Sequence, residues 1–132
     1  MTGAVQANDA ASVEVSVSGL RNMKGQLMVC LTKNPKGFPD CTKDASAAKK
    51  MVPAAQAASF SFHGVAPGTY AIAIVHDENK NNKMDLSLFI PKEGFAFSRN
   101  PTITVVPPKF KSAAFVVGAA DVKQSVKMKY MF

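Results

Sequence analysis

The stretch Val13-Glu14-Val15-Ser16-Val17-Ser18 decides the fold class. Its apolar and polar side chains alternate with a period of two, whereas a helix would bring one face round about every 3.6 residues. Such a segment is a half-buried strand, valines inward and Glu14 and the serines outward. The same period recurs along the chain in Leu27, Val29 and Leu31, in Phe60 and Phe62, in Tyr70, Ile72 and Ile74, and in Phe95 and Phe97. Residues 110–117 are expected to form a further apolar strand. After it, Val122, Gln124, Val126, Met128, Tyr130 and Phe132 alternate with Lys123, Ser125, Lys127, Lys129 and Met131. Turn residues separate these runs: Gly19 to Gly25, Pro67-Gly68, Pro101 and Pro107-Pro108. Residues 43–51, rich in Ala and Lys, with Thr42 near their start and Pro53 beyond their end, predict one short helix. The expected architecture is a mostly β protein, a single antiparallel β-sandwich of about seven strands. It occupies residues 12–132, after a flexible N-terminal segment at 1–11.

Composition agrees with one globular domain: 132 residues, 47% hydrophobic and 19% charged. No run approaches the ~18 consecutive apolar residues of a membrane-spanning helix. The aromatic ending, Tyr130 and Phe132, is similar to the closing strand of an outer-membrane barrel, but the strands are short and prolines interrupt several. The formal charge of +7 is spread out: −2 over residues 1–20, +5 over 21–60, balance over 61–100 and +4 over 101–132. Arg21 and Arg99 lie far apart and the lysines are scattered, so no nucleic-acid-binding arm is expected. Solvated lysine faces near an anionic lipid or polysaccharide are the better reading.

Cys30 and Cys41, the two cysteines of the chain, flank a segment containing Pro35, Gly37 and Pro39, a loop composition. They allow one pairing, and a bridge of this span stabilises a fold by about 3 kcal/mol in the chain-entropy model. The competing reading is two unlinked thiols in a cytosolic chain. Ala4-Val5-Gln6-Ala7 has the small-x-small form of a signal-peptide cleavage region, although the charged and apolar regions that precede such a site are missing. The expected location is therefore periplasmic or secreted.

The segment Asp77-Glu78-Asn79-Lys80-Asn81-Asn82-Lys83-Met84-Asp85 carries the most chemistry. Oxygen-bearing side chains at Asp77, Asn79, Asn81 and Asp85 fall on alternate residues, as at positions 1, 3, 5 and 9 of a calcium loop. Alternate oxygens on a curled backbone surround a hard cation, with a carbonyl from Lys83 and a carboxylate from Glu93 completing the candidate shell. Leu88 stands where such loops place a bidentate Glu, and Asn82 stands where they place Gly. Affinity is thus expected near 10⁻⁴ to 10⁻³ M, on the order of extracellular modules. The alternative is a solvated turn whose Asn and Asp side chains bond their own backbone. A soft-metal site from His63, His76, Met128 and Met131 is a weaker alternative, since core methionines are commoner than copper ligands. Ser98 lacks a nucleophile-elbow context and neither cysteine sits in a nucleophile motif, so an enzyme is not expected.

These residues also carry a family likeness. Pro67-Gly68-Thr69-Tyr70, His76-Asp77-Glu78-Asn79, Asn81, Asp85, Ile90-Pro91-Lys92-Glu93-Gly94 and Phe97-Ser98 resemble an uncharacterised bacterial family, domain of unknown function 2141. Gly19-Leu20, Lys24-Gly25-Gln26, Pro107-Pro108, Phe110 and Ala113 fit it as well. The resemblance implies export and supplies no reaction. Asn82 departs from the usual Gly, and the stretch from Asp85 to Ile90 is a residue short, which bears on the metal geometry. Residues 64–70 are also similar to the strand turn of transthyretin-like and carboxypeptidase-regulatory-like sandwiches. The functional expectation is a non-enzymatic binding or structural module of the bacterial envelope. Its polar loop would take calcium and hold Phe89, Phe95 and Phe97 as a surface for an envelope protein or polysaccharide. The alternative is a periplasmic carrier of a small apolar ligand, lipid or pigment, between the sheets.

Overall fold

Alternating Val13, Val15 and Val17 lie at the centre of strand β1 (Ala11–Ser18), with Val13 and Val15 fully buried. The computed structural model describes residues 11–36, 38, 41, 44, 47–78, 94–101 and 108–130. It continues with β2 (Gln26–Thr32), β3 (Ala48–Pro53), a 3₁₀ turn (Ala54–Gln56), β4 (Ser59–Val65) and β5 (Gly68–Asp77). Then follow β6 (Gly94–Phe97), a four-residue helix α1 (Phe110–Ala113), β7 (Phe115–Val117) and β8 (Val122–Lys127). One sheet runs β4-β1-β8; the other runs β3-β2-β5-β6, with β7 paired to the start of β5.

The observed fold differs from the expected one in three places. β1 and β8 pair in parallel, Val13 opposite Val122 and Ser18 opposite Lys127, while every other strand pair is antiparallel. The expected helix at residues 43–51 is absent from Ala48 onward: Ala48–Pro53 is β3, paired with β2 from Leu31 to Gln26. Pairing with a neighbouring strand overrides the helical preference of Ala and Lys. Conversely, Phe110–Ala113 is helical rather than extended, so the apolar run 110–117 is a helical turn followed by a short strand.

The main core lies between the sheets, where Val13, Val15, Phe62 and Val126 meet Leu27, Val29, Leu31, Ile72 and Ile74. β5 is buried on both faces, because Ala71, Ala73 and Val75 point outward into a second cluster with Met28, Phe95, Phe97 and Ala113. Phe38 and Phe110 cover that cluster, and the Cys30–Cys41 disulfide, both residues fully buried, pins the β2–β3 connection over it. Ser98 joins the pieces: its peptide N–H donates to Ile72 O, and its Oγ accepts the Ile72 N–H while donating to Ala113 O. Beyond β8 the chain crosses to the other sheet, where Phe95 and Lys129 exchange backbone hydrogen bonds of 3.0 and 2.9 Å. That crossing delivers Tyr130 to the end of β5. Residues 1–10 lie outside the described residues, and Ala11, expected to be flexible, is buried and paired with Val65. No helix among the described residues is long and apolar enough to cross a membrane.

Candidate functional site

Four separate segments converge where β5 ends: the β1–β2 turn, the last residues of β5, the first residue of β6 and Tyr130 beyond β8. His76 is fully buried there. Its Nε2 lies 2.7 Å from Lys24 O, which can only accept, so the ring donates from Nε2. In the neutral imidazole Nδ1 then accepts, and the Tyr130 hydroxyl donates to it at 2.8 Å while receiving the Arg21 N–H at 3.3 Å. Both ring nitrogens are thus engaged, which explains a buried histidine without any metal.

The outer layer is charged. Glu78 Oε2 accepts from Arg21 Nη2 at 2.6 Å and Nε at 3.0 Å, and Oε1 accepts from Asn22 Nδ2 at 3.1 Å. The Arg21 guanidinium also lies 4.5 Å from the centre of the Tyr130 ring, a cation–π contact. Partial burial pushes the Glu78 carboxyl upward, but the Asn22 and Arg21 hydrogen bonds and the positive charge of Arg21 outweigh it, leaving it below the ordinary carboxylate range. Burial raises the Tyr130 phenol; the Glu78 charge raises it further, against the Arg21 N–H and guanidinium. Asp77 is fully buried, and Gln26 Nε2 donates to its Oδ2 at 3.2 Å.

Two glycines let these segments touch. Gly25 has φ +68°, and a Cβ there would lie 2.1 Å from Asp77 O. A Cβ on Gly94 would lie 2.2 Å from the Tyr130 ring, so the ring lies against bare backbone.

Because Glu78 is depressed in the folded state, its contribution is present above its unfolded value and lost as pH falls through the folded one. Urea midpoints measured downward from pH 5.5 are expected to fall, beginning near the ordinary value of 4.5. The Glu78→Gln variant is expected to remove about 0.5–1 kcal/mol of that acid slope, the scale of a partly exposed ion pair. An unchanged slope in Glu78→Gln would show that Arg21 and Glu78 do not act as a pair in solution.

The residues expected to act together are divided by the structure. Asp77 occupies the strand end at which the polar loop begins, whereas Asn79, Asn81, Lys83, Asp85, Phe89 and Glu93 lie outside the described residues. Phe95 and Phe97 are corrected from an interaction surface to core, with exposures of 2% and 1%. Their side chains face the second cluster because β6 is covered on its outer side by Phe38 and α1. Met128 is core, and His63 sits on β4 of the other sheet with Nδ1 3.0 Å from Ser12 Oγ. The nearby Asp121 accepts the Ser12 N–H and not the imidazole, so the three form no catalytic relay. Among the described residues no group of three or more His, Cys, Asp or Glu side chains is arranged to hold a metal. The space between the sheets, considered for an apolar ligand, is occupied by packed core side chains. Sequence reading missed Arg21, Asn22 and Tyr130 as partners of the β5 end. Only the likeness in Gly19-Leu20 and Lys24-Gly25-Gln26 pointed to that turn.

The fold and this junction define a two-sheet β protein whose central strand β5 ends in a buried, hydrogen-bonded junction. Residues 15–125 match the model of a family described as "Uncharacterized protein conserved in bacteria (DUF2141)", and the chain belongs to that family. No curated protein and no solved structure matches the chain.

Proposed function

We propose that the protein is an exported, non-enzymatic module of the bacterial envelope whose β5–β6 loop binds calcium and is thereby stiffened for binding a partner. The observation that carries this reading is the placement of Asp77. Its carboxylate heads the alternating oxygen series, is fully buried, and is oriented by the Gln26 amide from β2. A first ligand fixed on a rigid strand end lowers the ordering cost of the ligands that follow in the loop. The Cys30–Cys41 disulfide supports export, because such bonds persist in oxidising compartments. The hydrogen-bonded junction at His76 and Glu78 supports a structural role for the loop base rather than a catalytic one.

Melting of chelator-treated protein tests the reading. With a dissociation constant of 10⁻⁴ to 10⁻³ M, about 10 mM calcium is expected to raise Tm by roughly 5–10 °C, with magnesium giving less. Asp85→Ala is expected to abolish the rise while leaving the calcium-free Tm unchanged. Equal melting with and without calcium would remove the ion from the proposed function.

A further inference from the structure

A groove of about 550 Å³ lies on the outer side of the five-stranded sheet, away from the β5–β6 loop base. Pro35 and Phe38, from the connection pinned by the disulfide, form one wall, and Pro108, Lys109, Phe110 and Lys111 form the other. Its walls are held by aromatic contacts. Phe38 meets Phe97 edge-on at 5.6 Å and Phe110 at 6.0 Å, so these half-buried rings rest on the second core. The volume is that of a small-molecule site.

The chemistry of the lining narrows the ligand. Among the described residues that line the groove, the side chains other than Lys109 and Lys111 are Pro or Phe and offer no hydrogen bond. A sugar would leave its hydroxyls without side-chain partners on the floor, at the desolvation cost of unmade hydrogen bonds. An apolar chain loses nothing there. Lys109 and Lys111 are exposed at the rim and make no ion pair among the described residues. The described Pro and Phe side chains and a rim with two ammonium groups complement a molecule that is apolar along its length and anionic at its end.

We propose that this groove binds a free acyl carboxylate, its chain on Pro35, Phe38 and Phe110 and its head at Lys109 and Lys111. The site is independent of the calcium loop and is expected to work in calcium-free buffer.

The chain contains no tryptophan, so Phe110→Trp places a single indole in the groove wall, excited at wavelengths where the two tyrosines do not absorb. Titration of that variant with monomeric dodecanoate, with chelator present, is expected to give a saturable emission shift. Dodecanol, equal in chain length and uncharged, is expected to bind about fivefold more weakly, the scale of two exposed charge contacts. Adding Lys109→Gln and Lys111→Gln is expected to equalise acid and alcohol without changing Tm. Equal binding of acid and alcohol by the single variant, or undiminished acid preference in the triple variant, overturns the proposal. So does a response to anionic vesicles or polygalacturonate with none to dodecanoate. If Phe110→Trp lowers Tm, displacement of a fluorescent fatty acid from the unmodified protein gives the same comparison.

Discussion

Gly25→Ala is expected to cost about 4 kcal/mol or more, a large share of the 5–15 kcal/mol that separates a small domain from its unfolded state. Two effects add. A left-handed φ of +68° costs a non-glycine residue about 1–2 kcal/mol. The new Cβ would also lie 2.1 Å from Asp77 O and 2.7 Å from the Glu78 Cα and carbonyl carbon. Those atoms are backbone at the end of a central strand and cannot rotate away as a flexible side chain would. Relief requires the β1–β2 turn to move, which breaks the Lys24 O to His76 bond and strains the Gly25 O to Ala54 N–H bond. Leaving the buried imidazole Nε2–H without its acceptor costs a further 1–3 kcal/mol, about the penalty of an unmade buried hydrogen bond. Gly64→Ala is the internal control. It has the same φ of +68°, with nothing within 4 Å of its added Cβ. Urea unfolding of the two variants separates backbone strain from close approach. The control is expected to lose about 1 kcal/mol. Equal losses would mean that the β1–β2 turn does not press on the end of β5 in solution.

That comparison also bears on how much of the protein is legible in its amino acids. The rows Val13/Val15/Val17, Leu27/Val29/Leu31 and Tyr70/Ile72/Ile74 are all found in the core between the sheets, where period two placed them. Each is read within a single strand, so no distant partner is needed. β3 was not legible because it is an exposed strand at the sheet edge, with Val52 its one buried residue. Without an apolar row, Ala and Lys display only their helical propensity, although Lys49 and Lys50 also suit an edge strand that must not recruit another chain. α1 spans four residues, too few for a helical period to emerge. The parallel pairing of β1 with β8 joins residues more than 100 apart in the chain and has no turn to announce it. The site divides in the same way. Asp77 stands at the strand end where the oxygen series expected from the sequence begins, a local pattern. The clamp of Arg21, Asn22, His76 and Tyr130 was not, since each contact exists only once four segments meet. Phe95 and Phe97 were misassigned because β6 is buried on both faces, and one strand's alternation cannot reveal what covers its second face.

Loss of the disulfide in Cys30→Ala/Cys41→Ala is expected to lower stability by about 3 kcal/mol, the loop-closure value for a bridge of this span. The two half-cystines are separated by 11 residues, with Cα atoms 6.4 Å apart. Reduction of the unmodified protein is expected to give a similar loss, and the double variant to be insensitive to reductant. Global unfolding is not expected. The same connection is held by Thr32 Oγ1 donating to the buried Asp44 carboxylate, and by the Asp44 N–H on Cys41 O at 3.0 Å. The disulfide chiefly fixes the stretch between those anchors, which carries Pro35 and Phe38. Its removal is therefore expected to weaken dodecanoate binding more than it shifts the calcium response. The groove has one wall on that stretch, whereas Asp77 is oriented from β2 on the far side of the junction. Urea midpoints with and without reductant measure the first effect, and parallel titrations measure the second. Two free thiols in the denatured, unreduced protein would separate the fold from the oxidising compartment, and the envelope assignment would lose its covalent support. A stability loss that left both titrations unchanged would instead show that the groove wall stands without its staple.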